Sequence, residues 1–238
     1  ENVFNQDENK QLYALTTSYD KRVVPLISNL LDKQEIDPAL ANKAWLLLAD
    51  IGDSKAKYKV LKKAVKEERI ELLNTMIDAP AANHAKPADL SLLEPMLTHE
   101  NSKLRIAGLK LSGRWKAVEY VGIITEVMNS ATEVDEKLAA GRALMAIGKQ
   151  NEIIEMAQSN PEPAIRTIAS VVWIEKAPED AAENAINLLK ELDSPELAKL
   201  IFNTFRRLEK GPEVLRNLLE GKKIPEHIAS IGLSVIQG

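Results

Sequence analysis

Apolar positions along this chain repeat with the spacing of helix faces and not with the alternation of strands. One pattern returns from end to end: an apolar anchor, two variable residues, a small or apolar pair, then a further apolar residue. The anchors are Leu40, Ile70, Leu104, Leu138, Ile165, Leu197 and Ile228, separated by 27 to 34 residues. Small residues recur in the pair, as at Ala44, Ala107, Gly108, Gly141, Ala169 and Gly232. With 3.6 residues per turn, the anchor, the pair and the next apolar residue share one face, and a small side chain there lets a second helix approach closely.

Shorter amphipathic segments lie between these helices: LSLLEPMLTH, VEYVGIITEVM, NEIIEMAQ, AAENAINLLKEL and PEVLRNLLEG. Turn signals separate the pairs at residues 51–54, 99–102, 159–163, 193–196 and 221–226. Ser194 before Pro195 reads as a helix cap with proline at the first helical position, and Asn160 before Pro161 reads the same way. Residues 79–89, APAANHAKPAD, have no helical period and read as a long inter-helix loop. The polar opening ENVFNQDENK reads as a frayed start before a first helix. A helical hairpin cannot bury its own apolar face, but stacked hairpins can. The pattern therefore predicts an all-α chain, one α-α superhelix of about six to seven hairpins over residues 1–238.

LRIAGLKLSG at 104–113 resembles the second helix of a HEAT repeat, and LLLADIGD at 46–53 resembles the end of one with its Gly-Asp turn. The likeness, to HEAT and armadillo-like solenoids, runs from about residue 20 onward. In that family an arginine after the anchor often forms a ladder between repeats. Here Arg105 and Arg166 hold that position, but Ala41, Glu71, Ala139, Ala198 and Ala229 hold it elsewhere, so the ladder is broken.

Composition narrows the picture. Apolar residues make up 45% of the chain, which excludes disorder, and aromatics only 4%, which disfavours sheet. A net charge of −4 gives no footprint for nucleic acid, so no such partner is expected. No apolar run reaches the roughly 20 residues of a membrane span, so no membrane insertion is expected either. The chain has no cysteine, which removes disulfides, thiolate metal sites and thiolate catalysis.

Candidate chemistry is sparse. His99–Glu100 is a single His-Glu pair, whereas HEAT-like di-iron enzymes use several, and His84 and His227 fall in other repeats. No metal ligand set, cofactor site or catalytic group is expected. The run carrying Lys55, Lys57, Lys59, Lys62, Lys63 and Lys66 reads as a solvated helix face in preference to a phosphate or lipid patch. Trp45 and Trp173 sit beside core positions and read as packing, while Trp115, between Arg114 and Lys116 at a helix end, reads as partly exposed and a candidate anchor.

The resulting expectation is a non-catalytic scaffold or protein-interaction module. Its second helices would carry Arg105, Lys110, Arg114, Trp115, Arg142, Arg166, Arg206 and Arg207 on a concave face. Two readings of these cations stand open: contacts for a partner, or charges that keep that face solvated. The closing LLEGKKIPEHIASIGLSVIQG resembles a repeat from the HEAT region of large bacterial proteins that also carry a sorbosone-dehydrogenase-like propeller and a C-terminal c-type haem domain. The positions concerned are Gly221, Lys222, Ile224, Pro225, Gly232 and Leu233. That resemblance implies an extracytoplasmic protein, periplasmic or extracellular, in which this piece meets other domains of its parent chain or another protein. The haem-attachment motif is absent. The apolar final helix, with Ile228, Ile231, Leu233, Val235 and Ile236, points to a piece excised from a longer chain. The rival expectation is a free-standing HEAT-like enzyme of the lyase type in the cytoplasm.

Overall fold

The computed structural model describes residues 6–33, 36–220 and 224–237, with the backbone alone for Leu218, Ile236 and Gln237. Among these residues the chain is all-α and holds no strand. It divides into two compact units, Glu1–Ala117 and Val118–Gly238. The first contains α1 (Gln6–Thr16), α2 (Val24–Leu30), α3 (Pro38–Ile51), α4 (Ser54–Lys66), α5 (Ile70–Asp78), α6 (Leu93–Leu97) and α7 (Ser102–Trp115). The second contains α8 (Val121–Ser130), α9 (Val134–Ile147), α10 (Gln150–Ser159), α11 (Pro163–Lys176), α12 (Pro178–Glu191), α13 (Pro195–Arg207), α14 (Gly211–Leu219) and α15 (Glu226–Gln237).

Every sequence anchor falls in the first two turns of an odd-numbered helix from α3 to α15. Leu40, Leu104, Leu138, Ile165 and Ile228 are buried there, and Ile70 and Leu197 are half-buried. In the first unit α1, α3, α5 and α7 pack in succession, with α2 and α4 over α3 and with α6 against α7. In the second α9, α11, α13 and α15 do the same, and α8, α10, α12 and α14 lie against them. The small positions permit this row: a Cβ on Gly141 would meet Val172 at 3.0 Å, and one on Gly232 would meet the Phe202 ring at 2.9 Å.

Local signals fix the helix ends. The side chains of Asp37, Asp53 and Ser194 accept from Leu40 N, Ala56 N and Leu197 N at 2.9, 2.8 and 3.3 Å, occupying donors that the first turn leaves free. Asn160 does not cap α11. Its Oδ1 accepts from Glu162 N at 3.0 Å in a turn, and the helix starts at Pro163, the second proline of SNPEP. Proline tolerates the first helical position because its missing N–H has no partner there. Of the polar opening, residues 1–5 lie outside the described residues, and residues 6–10 are helical where a frayed start was expected. Helix α1 begins inside the polar stretch because Leu12 is fully buried, Glu8 pairs with Lys33, and Asn9 Oδ1 accepts from Asp37 N at 2.9 Å.

Residues 79–89 are a loop with one 3-10 turn, Ala81–Asn83. In the last helix Ile228 and Val235 are buried and Leu233 is 59% exposed. Gly221, Lys222 and Gly238 lie outside the described residues.

Candidate functional site

A recurring device engages several of the candidate cations. The last carbonyls of a helix lack intrahelical partners and carry the negative end of its dipole, so a cation from another segment satisfies both needs. Arg114 of α7 donates to Ala79 O at 3.1 Å and to Ile77 O, closing the end of α5. Arg206 of α13 donates to Val235 O at 3.2 Å, near the end of α15. Lys137 of α9 donates to Asn129 O at 2.9 Å and Met128 O at 3.3 Å at the end of α8. Lys59 of α4 donates to Ser28 O at 2.8 Å, near the end of α2, and pairs with Asp32. Arg105 donates to His99 O at 2.6 Å and Glu100 O at 2.8 Å in the turn before its own helix.

The eight candidate contact residues therefore have distinct situations. Arg105, Arg114 and Arg206 hold backbone carbonyls, and Lys110 is exposed on α7. Trp115 is not an exposed anchor: it is 5% exposed, drawn under the surface where α7 ends in a left-handed turn at Lys116. Trp45 and Trp173 are buried as expected, and Lys59 and Lys63 stand 5.9 and 5.2 Å from the Trp45 ring centroid. Arg166 pairs with Glu191 at 3.1 Å, and its Nε is buried without a hydrogen-bond partner.

The structure brings Arg142 and Arg207 together, around Glu175. Arg142 of α9 donates to both Glu175 oxygens, Nε at 2.7 Å and Nη2 at 2.6 Å, in a bidentate pair. Arg207 of α13 points at the same carboxylate from 4.0 Å. Glu175 holds the Arg142 guanidinium above its usual pKa, chiefly through these hydrogen bonds. A depression of about 240 Å³ lies alongside, lined by Met145, Ala146 and Val172 together with Arg142, Glu175 and Lys176. Sequence reasoning singled out both arginines but missed Glu175, whose signal was available: it stands about one repeat from each of them.

A second polar cluster lies in the first unit. Lys57 does not belong to the solvated lysine face; it is 2% exposed, and Nζ donates to Ala49 O and, at 2.8 Å, to Asp50 O at the end of α3. Desolvation pushes its pKa down to about 8; Asp50 opposes this, and Arg114 and Lys21 add to it. Asp50 accepts from Tyr19 Oη, and Asn83 Nδ2 donates to Asp50 Oδ1 and Tyr19 Oη, each at 3.2 Å. Lys21 Nζ donates to Ala82 O at 2.6 Å, so this cluster fastens the 79–89 loop.

Two histidines have local backbone partners. His99 Nδ1 accepts from Asn101 N at 3.1 Å, and His84 Nε2 lies 2.6 Å from Ala79 O. Among the described residues, no three His, Asp or Glu side chains are grouped to hold a metal ion. Nor is any described helix long and apolar enough to cross a membrane. A wider cleft, about 950 Å³, opens beside α13 and α14 over Phe202, Leu215 and Leu219, with Arg206 on its wall. Comparison with protein-family models, with curated proteins and with solved structures returned no match.

Proposed function

We propose that this chain is a non-catalytic interaction module, a HEAT-like helical array that positions other domains of a larger extracytoplasmic protein or docks a separate protein. The observation that carries the reading is the gathering of Arg142, Glu175 and Arg207 from three successive odd helices on one face. These side chains are partly exposed, Arg142 at 46%, Glu175 at 26% and Arg207 at 63%, and Arg207 makes no contact closer than 4.0 Å with the carboxylate it faces. Contact surfaces are enriched in arginine, and a face shared by stacked helices offers a continuous one. The HEAT-like segments 46–53 and 104–113 support the module class. The closing segment's resemblance to a repeat of large bacterial multidomain proteins supports the extracytoplasmic context.

The test is hydrogen–deuterium exchange on the native full-length protein compared with this chain alone. Slower amide exchange along α9, α11 and α13 is expected in the full-length protein. Identical exchange throughout overturns the module reading. A native open reading frame no longer than these 238 residues overturns the multidomain context.

A further inference from the structure

Carboxylate accounting around Glu175 leaves the site one acceptor short. Both Glu175 oxygens are taken by the Arg142 fork, at 2.6 and 2.7 Å. The Arg207 guanidinium faces the same group from 4.0 Å, beyond hydrogen-bond length, with its side chain 63% exposed. Arg142 uses Nε and Nη2 for Glu175 and leaves Nη1 outside that pair, and its side chain is 46% exposed. Two planar forks thus flank one carboxylate, with exposed Lys176 nearby. Arginine forks match carboxylates bidentately, and a fork held in place by a first carboxylate loses less freedom on meeting a second. Directly beside them the depression floored by Met145, Ala146 and Val172 has room for one apolar side chain.

We infer that this face of α9, α11 and α13 docks an extended acidic peptide segment, one carboxylate bridging Arg142 and Arg207 while the apolar side chain two residues along, on the same face of the peptide, enters the Met145–Val172 depression. The inference rests on the interaction-module reading and names its partner class. Glu175 acts as a positioning residue, fixing Arg142 from behind. Charge makes the recognition local. The second unit carries 19 acidic and 13 basic residues, a net −6. Its overall field therefore opposes an acidic partner, and only groups within a Debye length of about 8 Å at physiological salt favour one. Asp135 also acts on Arg142 from within α9 and slightly reduces the positive excess.

The experiment uses the whole chain and two short fluorescein-labelled peptides, one repeating Asp-Gly-Leu-Gly and one repeating Lys-Gly-Leu-Gly, so that charge and leucine share one face of the extended chain, with anisotropy as the readout. The Asp/Leu peptide should bind, weaken as salt is raised, and lose roughly tenfold or more in affinity with Arg207→Glu, the size of effect expected when one arm of a charged clamp is reversed. Arg207→Lys should restore part of the loss. Arg216→Glu, an exposed reversal on α14, should leave binding within about twofold of wild type, as expected of a rim charge outside the contact. Circular dichroism of each variant checks that the helices are retained. Equal binding of the Lys/Leu peptide, equal effects of the two reversals, or no binding of the Asp/Leu peptide would each overturn the inference. If those failures come with protection of α9, α11 and α13 in the full-length protein, the partner class is wrong and the module reading stands. Without that protection both fall.

Discussion

Lys57 shows how one residue can escape a correct helix assignment. Its sequence neighbours Lys55, Lys62 and Lys66 are exposed, and spacing alone places Lys57 among them. What buries it is the turn at Gly52–Asp53, which brings the end of α3 within reach of its ammonium. A buried cation next to helix-end carbonyls is satisfied but still desolvated. Its folded pKa of about 8 lies below the ordinary 10.5, so between those values the unfolded chain binds more protons than the folded one. Stability contributed by this group therefore rises with pH across that window, by at most roughly 3 kcal/mol for a shift of this size. Urea unfolding of wild type and Lys57→Met at about pH 7.5 and about pH 10 isolates the contribution, because the other titrating groups are common to both. The wild type should gain on the variant as pH rises; a constant difference between them contradicts the account. Trp115 eluded the sequence for a related reason. Its charged neighbours Arg114 and Lys116 read as surface, yet Arg114 turns inward to carbonyls of the α5 end and Lys116 adopts a left-handed backbone.

At the scale of elements the sequence was far more legible. The seven anchors mark the odd helices from α3 onward because each buries the same face against the odd helices beside it in its own unit. That requirement writes itself as a period. The even helices from α4 onward were also visible, since each needs only one apolar stripe. Misread elements were those set by competing local choices: two prolines in SNPEP each offer a start, and the polar α1 depends on Leu12, Lys33 and Asp37 supplied from inside or beyond it. The candidate site was half legible for the same reason, since arginines stand out singly while their grouping around Glu175 exists only once α9, α11 and α13 pack. The small positions give the sharpest test of the element picture. Ala107 and Ala169 are 2% and 0% exposed, on α7 and α11, at the pair that the repeat reserves for close approach. Replacing either with Leu should cost about 1 to 3 kcal/mol by overpacking. Unfolding midpoints unchanged in both variants would mean that these faces do not set the helix spacing.

For the whole molecule, the period that made the helices legible hid the division into two units. Leu104 and Leu138 stand on either side of the boundary at Ala117, yet their spacing equals that of Ile70 and Leu104, both within the first unit. A repeat sequence specifies neighbours, and a boundary between blocks of neighbours leaves no gap in it. What the structure adds is that each unit owns a core. Leu48, Leu61, Leu72 and Leu93 are fully buried in the first, and Ile124, Ile153, Ile174 and Leu189 in the second. In a nearest-neighbour stack, a cavity destabilises the block that contains it, and the remainder keeps its own opening free energy. Leu61→Ala should therefore cost about 2 to 5 kcal/mol of local stability and speed amide exchange across α3 to α5. Amides of α11 and α12 should exchange as in the wild type, and Ile174→Ala should give the mirror-image pattern. Exchange mass spectrometry resolves the two sets of peptides. If either variant lowers protection equally in both units, they open as one cooperative block, and the two cores are a division of packing without a division of stability.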